Sequence, residues 1–93
     1  MKIRAFGVFK ELFGSKMLTI TLKKKVTVKD LVQRLADSLL DNFERSPIYF
    51  EISDLWSNAL ILVNGKEISV LNGLETLVSD EDEIVLLPVS HGG

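Results

Sequence analysis

The sequence predicts an α+β domain in which one main helix packs across one face of a mixed sheet of four to five strands. Three observations lead to this. Two segments near the start, Lys2–Phe9 and Met17–Leu22, alternate in side-chain character with the period of two that a half-buried strand shows. One later segment repeats its apolar residues at spacings of three and four, the period of an amphipathic helix. Two apolar runs, Ala59–Val63 and Ile84–Leu87, come after it. A hairpin, one helix and then further strands do not make a doubly wound repeat, but they do fit a single helix lying on one face of a sheet. Ninety-three residues, 46% of them hydrophobic, are enough for one domain with one modest core.

In the first segment Ile3, Ala5, Gly7 and Phe9 share one face, and Lys2, Arg4, Phe6 and Val8 share the other. The second face turns apolar at Phe6 and Val8, which are therefore expected to be covered or to form an adhesive patch. Lys10–Phe13 has room for one helical turn before Gly14 and Ser15 interrupt it. Leu18, Ile20 and Leu22 form the apolar face of the next strand, whose β-branched Thr19 and Thr21 favour extension. Lys23, Lys24 and Lys25 then read as a solvated turn. Thr27 is placed to cap the helix, with Asp30 three residues on. Val28, Leu31, Val32, Leu35, Leu39 and Phe43 form the apolar stripe, opposite Lys29, Gln33, Arg34, Asp37 and Asp41.

Pro47 ends the helix, and Glu44–Asn58 reads as an irregular excursion in which Trp56 is expected as a core or lid residue. Ala59–Val63 is continuous enough for a strand buried on both faces. Asn64-Gly65 is the strongest turn signal in the chain. A short strand, Lys66–Leu71, is expected to return from it, before a second turn at Asn72-Gly73. Leu74 and Leu77 are expected beneath the following loop. Asp80–Glu83 is an acidic turn, and Ile84–Leu87 is the last strand. This order is that of the β-grasp, the ubiquitin-like fold, with the domain at residues 1–88 and a flexible tail at residues 89–93.

Composition excludes several kinds of chemistry. With no cysteine there is no disulfide, thiol nucleophile or thiolate metal site. A net charge of −2 gives no electrostatic footprint for nucleic acid. No apolar run approaches the roughly 20 residues that cross a bilayer, and no leader is evident, so a cytoplasmic location without membrane attachment is expected. The single histidine, His91, lies in the tail, where it cannot hold the geometry of a general base. Phosphate-cradling glycine motifs are absent. Four consecutive acids lack the alternation and the glycine of a calcium loop, so Asp80–Glu83 is expected to be a solvated turn or a docking surface for a basic partner. No metal site is expected.

The tail remains. It runs Pro88-Val89-Ser90-His91-Gly92-Gly93 and would reach roughly 15–20 Å if extended. Two glycines present a bare carboxylate on a slender backbone suited to a narrow channel. A carboxylate is a poor electrophile and must first be activated, most simply as an anhydride with AMP. A sulfur nucleophile then leaves a thiocarboxylate, and an amine leaves an amide. Without a nucleotide-binding motif of its own, the chain depends on a separate activating enzyme that uses ATP, and it binds no cofactor itself.

Phe6-Gly7-Val8-Phe9-Lys10-Glu11-Leu12-Phe13-Gly14 resembles the first strand and following turn of the small subunit of molybdopterin synthase. Val63-Asn64-Gly65 resembles that family's central hairpin. Leu77–Gly93, with Asp80-Glu81-Asp82-Glu83, Pro88-Val89-Ser90 and Gly92-Gly93, resembles its C-terminal signature. The wider family includes the thiamine sulfur carrier, small archaeal modifiers and the ubiquitin-related modifier. Asp80-Glu81-Asp82 stands where Asp-Gly-Asp is usual, and Leu87-Pro88 where a double proline is usual. His91-Gly92-Gly93 is closer to the ubiquitin-related modifier ending.

The resemblance implies that Gly93 is adenylated by an enzyme related to ubiquitin-activating enzymes and then thiocarboxylated, with Gly92 as its approach. It places Phe6, Val8, Pro88 and His91 on the partner surface. Three functions stay open. One is a non-enzymatic sulfur carrier for molybdopterin formation that inserts its tail into a large catalytic subunit. Another is a modifier joined to lysines of target proteins or acting in tRNA thiolation. The third is a plain interaction domain.

Overall fold

The last strand of the chain occupies the middle of the sheet. The computed structural model describes residues 1–43 and 59–89. Strand order is β2-β1-β7-β4-β5. Here β1 is Lys2–Ala5, β2 is Met17–Thr19, β4 is Ala59–Val63, β5 is Lys66–Glu67 and β7 is Glu83–Pro88. The first and last strands run parallel, with Ile3 opposite Ile84 and Ala5 opposite Leu86. Strand β4 flanks β7 on the other side, antiparallel, from Val63 opposite Ile84 to Ala59 opposite Pro88. Both edge strands are very short, which limits unwanted edge pairing. A separate pair, β3 (Val26–Thr27) with β6 (Leu77–Val78), lies outside this sheet.

Helix α2, Val28–Phe43, covers one face of the sheet. Val28, Leu31 and Leu35 are buried, and they belong to one core with Ile3, Ala5, Ile61, Val63, Ile84 and Leu86. Each of these valine, leucine and isoleucine side chains contributes roughly 1.5–3 kcal/mol by leaving water. Lys29, Gln33, Arg34 and Asp37 face outward, as the sequence pattern requires. The Asp30 amide donates to Thr27 Oγ1 at 3.1 Å, so Thr27 does cap the helix. The Val28 amide donates to the Thr76 carbonyl at 2.8 Å and ties the helix start to the residue before β6. The expected side chains of Leu39, Asp41 and Phe43, and the whole of Glu44–Asn58 with Pro47 and Trp56, lie outside the described residues.

Four sequence expectations change. The first strand stops at Ala5 rather than Phe9, because Gly7 takes φ +57° and Val8–Phe13 forms helix α1. Phe9 still reaches the core, at 1% exposure, but from a helix. Val8, Phe9, Leu12 and Phe13 also satisfy helical spacing, so the alternation was ambiguous there. Gly14 caps α1 in the left-handed conformation, its amide donating to the Glu11 carbonyl.

Lys66–Leu71 is extended only at Lys66–Glu67 and then enters a 3₁₀ turn at Ile68–Val70. The cause is local: the Glu67 carboxylate accepts from the Ser69 amide at 2.8 Å and from the Ser69 hydroxyl. These bonds, the hydroxyl first, hold the Glu67 carboxyl below its ordinary pKa. Leu74 and Leu77 are 49% and 59% exposed, and Val78 and Thr76 are buried in their place. Strand β4 is not buried on both faces, since Leu60 is 40% exposed.

The hairpin expected at Asn64-Gly65 is present, with φ +50° and +85°, the pair of positive angles that a type I′ turn needs. Among the described residues no helix is long and apolar enough to cross a membrane.

Candidate functional site at the exit of the tail

Strand β7 ends at Pro88, so the direction in which the chain continues depends on what holds that residue. Ladder bonding continues one residue past β1, where the Phe6 amide donates to the Leu86 carbonyl at 3.1 Å. The next residue, Gly7, turns the chain beneath Pro88. A Cβ on Gly7 would stand 2.8 Å from Pro88 Cγ, closer than real contacts allow. Glycine is therefore required there twice, for its dihedrals and for the approach of the proline ring. Pro88 is exposed and Val89 half-buried. His91, Gly92 and Gly93 lie outside the described residues.

Alternation along the strands separates two faces. Ile3, Ala5, Ile61, Val63, Ile84 and Leu86 face the helix. Their neighbours Arg4, Leu60, Leu62, Val85 and Leu87 fall on the opposite face, which no element among the described residues covers. Register aligns Met17, Arg4, Val85 and Leu62 in one row across it, and Leu87 with Leu60 in the next. Phe6, Met17 and Leu60 are 46%, 39% and 40% exposed. A hollow of about 250 Å³ lies between Arg4, Phe6, Lys16 and Met17. An apolar floor edged by two cations thus adjoins the tail exit.

Val8 does not share this surface symmetrically with Phe6. It is the first residue of α1, half-buried and packed against the core. Sequence alternation had put the two residues on one face because the Gly7 turn between them was not visible in it.

The acidic turn at the opposite end of the sheet is largely occupied by internal bonds. Asp80 Oδ1 accepts from the Leu22 amide at 2.9 Å and from the Met1 ammonium at 3.1 Å. Those partners, Leu22 first, hold its carboxyl below the ordinary range. Asp82 accepts from the Ser79 amide at 2.7 Å and from Asn64 Nδ2 at 2.9 Å. Burial pushes the Asp82 carboxyl up, but hydrogen bonds from Asn64 and Ser79 outweigh it and its pKa falls. Asn64 Oδ1 in turn accepts from the Glu83 amide at 2.9 Å. The turn therefore locks the hairpin onto the start of β7. Arg4 reaches Glu83 Oε2 at 3.4 Å on the uncovered face. Among the described residues no group of three or more His, Cys, Asp or Glu side chains is arranged to hold a metal ion.

Sequence reading missed the Gly7–Pro88 approach. Its only trace is a glycine inside an otherwise alternating strand, which commonly marks a close backbone approach.

Comparison with known proteins gives a consistent result. The family model Urm1 (ubiquitin related modifier) matches residues 6–93. A ubiquitin-related modifier 1 homolog from Dictyostelium discoideum is 28% identical over 96 residues, covering 100% of this chain and 98% of the relative. The solution structure of small archaeal modifier protein 1 from Methanosarcina acetivorans is 31% identical. It superposes with a TM-score of 0.63 over 99% of this chain and 94% of its own. A Pyrococcus furiosus structure named as molybdopterin converting factor, subunit 1, shares the fold at 20% identity. Its TM-score is 0.65, over 96% of this chain and 95% of its own.

Proposed function

The chain belongs to the Urm1 family of ubiquitin-related modifiers, and from that premise we propose that the Gly93 carboxylate is its reactive group. A separate enzyme activates it. The carboxylate attacks the α-phosphorus of ATP, pyrophosphate leaves, and an acyl-adenylate remains. A sulfur nucleophile then displaces AMP to give the thiocarboxylate, or a lysine amine displaces it to give an amide. The body supplies no catalytic group to these steps. It holds the tail at the end of a central strand and offers the uncovered face for recognition. Phe6, Met17 and Leu60 provide apolar contact there, and Arg4 and Lys16 provide charge. Pro88 sets the direction of exit over Gly7, and Gly92 keeps the approach slender.

The observation that carries this reading is the family match over residues 6–93, which runs through the glycines of the tail. Relatives named as modifiers favour conjugation to lysines of target proteins, with the acyl-adenylate as the shared intermediate. His91-Gly92-Gly93 agrees with that ending. Sulfur donation to molybdopterin synthesis, with the tail in a large catalytic subunit, is the second reading. The Pyrococcus furiosus likeness supports it at the level of fold.

The deciding measurement is intact mass after incubation with cell extract, ATP and a sulfur source. Replacement of one oxygen by one sulfur at Gly93 is expected. Deleting Gly93 should abolish both that change and any conjugates on a denaturing gel. Sulfur transfer that survives the deletion would overturn the proposal. Phe6→Asp should weaken binding to the activating enzyme while leaving the fold intact by circular dichroism. Unchanged binding would remove the uncovered face from the reading.

A further inference from the structure

A second concavity, of about 520 Å³, opens between the lysine bend and the outward face of α2. It is lined by Thr21, Lys23, Lys24, Val26 and Arg34. Among the described residues that line it, three are cations and none is an acid. The lysines alone read as a solvated turn. The structure adds Arg34, which comes from the second turn of α2 to face the same hollow.

Among the described residues these charges are left without partners. Lys23, Lys24 and Arg34 make no ion pair or hydrogen bond among the described residues. Asp30 and Asp37 lie one turn either side of Arg34 on the helix, but neither pairs with it. Asp37 Oδ1 instead accepts from Gln33 Nε2 at 2.9 Å. Asp80, in the adjoining groove beside Lys23 and Lys24, is bonded to Leu22 and Met1. Five of the chain's 11 basic residues fall between positions 23 and 34, where Asp30 is the single acid, although the net charge is −2. Like charges gathered in a concave surface repel one another and focus positive potential into it.

We propose that this cavity is a binding site for the phosphate groups of a phosphorylated small molecule carrying a di- or triphosphate. The Arg34 guanidinium offers a planar fork for two phosphate oxygens, and the two ammonium groups add compact charges beside it. The volume lies within the range of small-molecule sites, and the buried Val26 supplies an apolar floor. The site is remote from the described end of β7 at Pro88. The lysine bend follows the end of β2, which pairs with the start of β1, itself beside the start of β7, whereas Pro88 lies at the far end of β7. The proposal therefore stands independently of the chemistry at the tail.

The test is a titration of the full-length, ¹⁵N-labelled protein with sodium pyrophosphate, ATP and inorganic phosphate, at low salt and at physiological salt. Saturable shifts are expected around Thr21–Val26 and Arg34. Pyrophosphate and ATP should bind more tightly than phosphate, and all should weaken as salt screens the charges. Arg34→Gln and Lys24→Gln should each weaken pyrophosphate binding roughly tenfold, as loss of a charged hydrogen bond does. Both positions are exposed, so the fold should survive, and Lys10→Gln on α1 serves as the control. Non-saturable shifts, or an Arg34→Gln variant that binds as the parent does, would overturn the proposal. Binding of a short single-stranded RNA without binding of pyrophosphate would also overturn it.

Discussion

Replacing Gly7 by alanine tests how the tail exit is built. The backbone there has φ +57° and ψ −130°, a conformation that L-residues with a side chain rarely adopt. Forcing one into it costs about 1–3 kcal/mol. The new Cβ would also meet Pro88 Cγ at 2.8 Å. That atom belongs to a ring anchored in the central strand and cannot swing aside as the end of a flexible side chain would. Such overpacking costs about 1–3 kcal/mol more. A total near 4 kcal/mol is a large share of the roughly 5–15 kcal/mol that holds a domain folded. It corresponds to a fall in Tm of roughly 15–30 °C.

Urea unfolding followed by far-UV circular dichroism measures the loss. A double-mutant cycle with Pro88→Ala separates its two parts. Without the ring, Gly7→Ala should cost only the backbone share, so the two changes should couple by about 1–3 kcal/mol. A Gly7→Ala loss below about 1 kcal/mol, or no coupling to Pro88, would show that neither the dihedral nor the contact constrains the exit.

Other outcomes follow from the core and the turns. Leu31→Ala, at a site only 1% exposed between helix and sheet, should cost about 2–5 kcal/mol in the same urea assay. Thr27→Ala removes the helix cap and should cost about 1 kcal/mol, read from the same midpoints. Asp80→Asn should lower Tm at neutral pH by removing a carboxylate that the Leu22 amide and the Met1 ammonium hold charged. Because the folded pKa is depressed, that stabilisation is complete above the unfolded value near 3.9 and is lost as pH falls through the folded value below it. Parent and variant should therefore converge in acid, and a Tm difference independent of pH would refute the assignment.

Period and punctuation made much of the fold legible. The stripe through Val28, Leu31 and Leu35, the Thr27 cap and the Asn64-Gly65 turn depend on neighbours within a few residues, and each stands in the structure as read. Where two periods fitted the same residues, reading failed. Val8, Phe9, Leu12 and Phe13 satisfy both a strand and a helix, and the choice was made by the Gly7 turn against Pro88, some 80 positions away. Lys66–Leu71 failed for a different reason, since the Glu67–Ser69 bonds competed with the strand ladder. Leu74 and Leu77 show that an apolar residue is not committed to the core by its type, because burial depends on which elements arrive above it.

The sequence by itself determined the residues of the proposed site, two glycines a few positions after a strand, because that requires only residue identity and order. Tertiary structure decided the surroundings. Parallel pairing of the first and last strands brings Phe6 and Gly7 under Pro88. Packing of α2 across the sheet brings Arg34 to Lys23 and Lys24. Both juxtapositions join residues whose separation along the chain carries no local signal. The free energy that selects them comes from burying the whole core at once rather than from any one segment.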